Sequence, residues 1–172
     1  VAGNFDEKLL SAIGRTFGSL KPSSTQVEDE GDDGKATPFG IRILERDNVN
    51  QIYFAAGFEG VGKSSPHYYH LALLNNIVGA SSSSYLFQQL REKLSLCYDI
   101  GSFTSAFKNT GEFIINGGAN TENFPLALKE LQTILARLSA DGVKREEFDR
   151  SKKQIKSQLV MSFENPQNIM FM

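Results

Sequence analysis

The sequence predicts an α+β fold, an antiparallel-rich mixed sheet with helices packed on one face. Three observations carry that expectation. Short β-rich runs fall next to one another rather than alternating singly with helices. Apolar residues at helical spacing flank them on both sides. The order along the chain is strands, two helices, a hairpin and two helices, which suits a sheet covered by helices.

The elements follow in order. Phe5, Leu9, Ile13 and Phe17 recur every four residues and predict an amphipathic helix, with Asn4 as its N-cap and Gly18 as its stop. Residues 21–37 contain Pro22, several Ser and Thr, and the acidic run Glu28, Asp29, Glu30, Asp32 and Asp33. Such a composition buries too little apolar area to offset its ordering entropy, so it reads as an acidic flexible linker. A calcium loop is the competing reading, but the alternating oxygen ligands and closing glutamate of an EF-hand are missing. Ile41–Glu45 and Gln51–Gly57 read as two short strands with a turn at Asp47 and Asn48. A helix follows from Pro66, with Leu71, Leu74 and Val78 along one stripe. Ser81 to Ser84 interrupt it, and Leu86 to Lys93 reads as a second helix capped by one of those serines. Leu96–Phe107 and Gly111–Ala119 form an expected hairpin turning at Asn109-Thr110-Gly111. Phe124, Leu128, Leu131, Leu135 and Leu138 mark a long amphipathic helix ending at Asp141-Gly142. Phe148, Ile155 and Leu159 mark a last one.

The bulk properties exclude several function classes. The chain has 172 residues, 40% hydrophobic and 22% charged, which suits one globular domain and part of another. A net charge of -2 offers no phosphate-tracking surface, so no nucleic-acid partner is expected. No apolar run approaches the roughly 18 residues that cross a bilayer, so no membrane partner is expected. The single cysteine, Cys97, allows no intrachain disulfide and fits a reducing compartment, with a bacterial cytoplasm the expected address. The chain begins at Val1, and Val1-Ala2-Gly3 reads as a strand end entering a helix. The expectation is a piece of a longer protein, divided into residues 1–20 closing a preceding half, the linker at 21–37, and an α+β domain over 38–172.

Two motifs invite other functions. Gly57-Phe58-Glu59-Gly60-Val61-Gly62-Lys63-Ser64 satisfies the phosphate-loop pattern between an expected strand and an expected helix. Nucleotide binding at Gly57–Ser64 is therefore a competing function. Against it, Pro66 suits the first turn of a helix that starts beyond the lysine. The apolar run Phe113-Ile114-Ile115 ends in Asn116 rather than a magnesium-binding aspartate, and no strand–helix alternation follows. A glycine-rich turn accounts for the segment. His67 and His70, three apart, could contribute to a zinc site, but Tyr68 and Tyr69 lie between them and no adjacent glutamate offers a general base. His67 falls in line with Leu71, so a histidine at the margin of a packed helix is expected. No metal ligands are assigned within this chain.

The stretch from Asn75 to Tyr98 is more telling. It reads Asn75-Asn76-Ile77-Val78-Gly79-Ala80, then Ser83-Ser84-Tyr85-Leu86-Phe87, Leu90-Arg91-Glu92-Lys93 and Leu96-Cys97-Tyr98. This succession resembles the second-half signature of the insulinase, pitrilysin and mitochondrial-processing-peptidase family of zinc metallopeptidases. That pattern runs from a glycine–serine turn through a Leu-Arg-Glu-Lys helix end to a strand bearing a tyrosine. The resemblance covers nearly the whole chain, from the helix ending at Phe17-Gly18 to the closing helix over 142–156.

The resemblance implies a half-clamshell domain, the C-terminal half of a peptidase of two similar α+β halves. Zinc would be bound by an inverted His-x-x-Glu-His motif in the preceding half, which is absent from this chain, so the chain alone is expected to be inactive. The expected partners are a peptide substrate and the zinc-bearing N-terminal half or a partner subunit, with a homodimer as a further arrangement. Arg91 and Tyr98, seven apart, match the family's substrate-handling pair. Tyr98 is the implied catalytic group, stabilising the oxyanion that forms on the peptide carbonyl, and Arg91 would bind substrate carbonyls. Without the resemblance, Arg91 would be a helix-terminal cation and Tyr98 a cross-strand aromatic. Some relatives serve as non-catalytic scaffold or partner subunits, which is the alternative function. One departure stands out: Ser95 takes the place of a family glycine, and a left-handed backbone there would cost about 1 kcal/mol.

Overall fold

The structure is a computed structural model and describes residues 3–21, 39–47 and 49–170. The acidic linker, with any calcium site in it, lies almost wholly outside the described residues. The chain divides into two compact units. One draws on Val1–Asp33 and Lys156–Met172, the other on Gly34–Ile155.

In the first unit, helix α1 spans Glu7–Phe17. Its N-cap is Asp6 rather than Asn4, because the Asp6 carboxylate accepts the Leu9 amide at 3.0 Å. Gly18 is its C-cap, as expected. The apolar face is present, yet none of its residues is buried. A short helix α5, Pro166–Met170, was not foreseen in the sequence.

The second unit is built on a three-stranded antiparallel sheet of β1 (Gln51–Glu59), β2 (Cys97–Ala106) and β3 (Gly111–Asn120), in the order β1-β3-β2. The hairpin of β2 and β3 matches the sequence reading. Phe113, Ile115 and Ala119 alternate onto one face of β3 and are buried there. Helix α3 (Phe124–Asp141) sets Ala127, Leu131 and Ile134 into the same core and stops at Gly142, whose φ is 71°. Helix α4 (Arg145–Ser162) begins in this unit, and Ser151 anchors it by donating to Asn76 Oδ1 at 2.7 Å.

Two expectations change. Residues 39–47 form no strand, and Phe39, Ile41, Ile43 and Leu44 are widely exposed, Phe39 at 95%. Among the described residues β1 pairs only with β3, so these side chains gain no apolar burial to hold an added strand. The two helices after Pro66 are also wider than expected. Helix α2 (Tyr68–Asn75) runs straight into a π-helical turn, Asn76–Ala80, and Phe87–Lys93 is π-helical throughout. Gly79 explains the first. A Cβ there would lie 2.6 Å from the Ser102 amide nitrogen, so only glycine lets this turn press against β2.

Candidate functional site

The second π-helical turn is fixed by its buried side. Ser84 is buried, and its hydroxyl caps the turn by accepting the Phe87 amide at 3.4 Å. Leu86 and Leu90 are fully buried. That leaves Arg91 on the outer side, where its guanidinium lies over the Phe87 ring at 4.7 Å from the centroid. The wide turn then closes on itself, with the Leu96 amide donating to the Leu90 carbonyl at 2.8 Å. Ser95 makes this reversal possible by adopting φ 50°, a left-handed conformation.

Tyr98 reaches the same place by a β-bulge. Cys97 pairs with Ala119 and Asp99 with Gly118, so Tyr98 is an extra residue in β2. The bulge breaks the in–out alternation: Cys97 and Ile100 point into the core, while Tyr98 and Asp99 both face outward, Tyr98 at 78% exposure. Arg91, Ser95 and Tyr98 then line one open cavity of about 380 Å³ with Gln51, Asn120 and Asn123. Gln51 opens β1 and pairs with Asn120 at the end of β3, and Asn123 is the N-cap of α3. These three were not singled out in the sequence, because only strand pairing brings them together. Leu96 and Cys97 complete the wall. Burial, and then the negative charge of Asp99, pushes the Cys97 thiol above its ordinary value, so the thiol is neutral.

The phosphate-loop segment is a structural turn. The Gly60 amide donates to Gly111, the Lys63 amide to Phe107 at 2.8 Å, and the Ser64 amide and hydroxyl both to the Lys108 carbonyl. Groups that would cradle phosphate are thus occupied by the β2–β3 turn, and α2 starts only at Tyr68. A Cβ on Gly62 would overlap the Asn109 backbone, which accounts for the glycine.

His67 and His70 are both exposed, not at the margin of the core, with ring centroids 5.5 Å apart. Among the described residues no three His, Cys, Asp or Glu side chains could hold a metal together.

The model of the peptidase M16 inactive domain matches residues 1–155. The chain belongs to this family. The M16 assignment agrees with the resemblance drawn from the Asn75–Tyr98 stretch, and the family description itself calls the domain inactive. The chain is 30% identical over 167 residues to zinc protease YmxG of Bacillus subtilis (strain 168), covering 96% of this chain and 39% of that protein. It is 34% identical over 170 residues to a zinc protease of Rickettsia felis, covering 95% of this chain and 39% of that protein. The M16 chain thus spans about two fifths of the length of these relatives. Its fold matches a protease from Helicobacter pylori with a TM-score of 0.78 at 20% identity, over 98% of this chain and 42% of that one. The expected α+β fold is that of this neighbour. Among the described residues no helix is long and apolar enough to cross a membrane.

Proposed function

We propose that this chain is the substrate-handling half of a zinc-dependent peptidase whose zinc motif lies outside it. The observation that carries this is the shared cavity, where a π-helical turn and a β-bulge bring Arg91 and Tyr98 to one opening. Both devices are departures from regular structure, and such departures concentrate where a side chain must be re-aimed for function. Tyr98 donates its hydroxyl to the carbonyl oxygen of the scissile peptide as negative charge develops there. Arg91, braced on Phe87, holds a neighbouring stretch of substrate with its forked donors. The unit Gly34–Ile155 carries both residues.

The zinc-bearing half is the expected partner, in the same polypeptide or as a separate subunit, with a second copy of this chain as a further partner. The exposed apolar residues of both units support a covering partner, because such surface is otherwise exposed to water. A bacterial cytoplasm is the expected address, supported by the bacterial relatives and by the one cysteine, which is buried.

The test is peptide hydrolysis by the zinc-loaded full-length parent, with Tyr98→Phe and Arg91→Ala. Each substitution is expected to lower kcat/KM by about tenfold or more, with melting temperature unchanged. An inactive parent would instead identify a scaffold subunit, and two silent substitutions in an active parent would make the pair structural.

A further inference from the structure

Among the described residues, two cavities differ in how their polar linings are satisfied. The smaller, of about 10 Å³, lies between Asn76, Tyr85, Glu147 and Ser151. Its groups are closed on one another: Ser151 donates to Asn76, Ser81 donates to the Asn76 carbonyl at 3.2 Å, and Tyr85 donates to Glu147. It is a small packing seam whose hydroxyl, carboxamide and carboxylate groups answer one another.

The larger cavity is the reverse. Among the described residues, the side chains of Gln51, Arg91, Tyr98, Asn120 and Asn123 have no hydrogen-bond or ion-pair partner in the protein. The Arg91 guanidinium lies 4.7 Å from the Phe87 ring centroid, and its N–H donors have no partner in the protein. No carboxylate lines the cavity. One cation, three carboxamides and a phenol therefore line an opening without a negative charge to answer them.

We propose that this cavity is a subsite for a carboxylate of the peptide substrate, which makes the parent selective for acidic peptides. The proposal rests on the substrate-handling reading above. A carboxylate takes two parallel bonds from the edge of Arg91, and the carboxamide NH2 groups of Asn120, Asn123 and Gln51 can supply the remaining donors. Arg91 has five donors, so holding a carboxylate leaves others for the substrate backbone. A single cation balances the one charge of a carboxylate better than the double charge of a phosphate. The volume, near the lower end of the usual range of about 300–1,000 Å³ for ligand pockets, suits one side chain or chain end rather than a large ligand.

The experiment uses the full-length parent stripped of metal, so that binding is read without turnover. Fluorescently labelled peptides differing by Glu or Gln at one position at a time are titrated, each with a free and an amidated C-terminus. A Glu peptide or a free C-terminus is expected to bind about tenfold more tightly than its neutral counterpart. A preference that survives amidation assigns the subsite to an acidic side chain; one that amidation abolishes assigns it to the chain end. Asn123→Asp places a carboxylate in the opening and is expected to reverse the preference. Asn123 makes no side-chain capping bond, and aspartate is itself a good N-cap, so the fold should tolerate the change. Equal binding of neutral and acidic peptides at every position, or an undiminished preference in Asn123→Asp, overturns the proposal. Equal binding alongside Tyr98-dependent hydrolysis overturns this inference alone. A clear preference alongside a silent Tyr98→Phe overturns only the catalytic reading.

Discussion

Ser95 holds a left-handed backbone, φ 50°, between the turn that carries Arg91 and the strand that carries Tyr98. An L-residue with a side chain pays for that conformation, and glycine does not. Ser95→Gly is therefore expected to stabilise the chain by about 1 kcal/mol in urea denaturation, less whatever freedom glycine adds to the unfolded chain. A loss of stability would mean that the serine is held by something other than this reversal. Cys97 gives a second prediction at the same scale. Its folded thiol is raised above the ordinary value by burial and by Asp99, so the folded state binds the proton more tightly than the unfolded one. The resulting stabilisation is fully present below the unfolded thiol value and is lost as pH rises through the folded one. Alkylation by iodoacetamide at mildly alkaline pH should be slow in the native protein and fast in denaturant. Rapid native alkylation would contradict the buried, neutral thiol.

At the level of elements, the site depends on irregularity. A regular α-helix over Phe87–Lys93 would carry Arg91 to a different azimuth, and an unbulged β2 would turn Asp99 into the core. The first π-helical turn is held against β2 by the absence of a side chain at Gly79 and by the Ser102 hydroxyl, which donates to Asn75 Oδ1 at 2.7 Å. Gly79→Ala should force this turn off the strand and cost about 1–3 kcal/mol, measured by chemical denaturation. An unchanged midpoint would show that the turn can shift without loss.

For the whole molecule, the decisive feature is surface that one chain leaves uncovered. Phe39, Ile41, Ile43 and Leu44 lie open in the second unit, as do Phe17 and Leu20 in the first. The chain covers 39% of its Bacillus relative, so most of such a protein lies beyond the segment matched here. The isolated chain is expected to self-associate with rising concentration in sedimentation velocity, and the full-length parent to do so far less. A strictly monomeric isolated chain at high micromolar concentration would count against a covering partner.

Local pattern was enough to recover the long helices α1, α3 and α4, the β2–β3 hairpin and the α+β class, because periodicities of 3.6 and 2 are written in neighbouring residues. The succession from Asn75 to Tyr98 likewise carried the family, and it marked Ser95 as a residue that a left-handed backbone would strain. It could not show that Phe87–Lys93 winds as a π-helix, since that depends on how Leu86 and Leu90 meet the core. Nor could it reject the phosphate loop outright, because the partners of those amides lie more than forty residues away in the β2–β3 turn. The cavity belongs wholly to tertiary structure. Gln51, Asn120 and Asn123 come from three elements and become neighbours of Arg91 only when β1 pairs with β3, a long-range contact that no local pattern encodes.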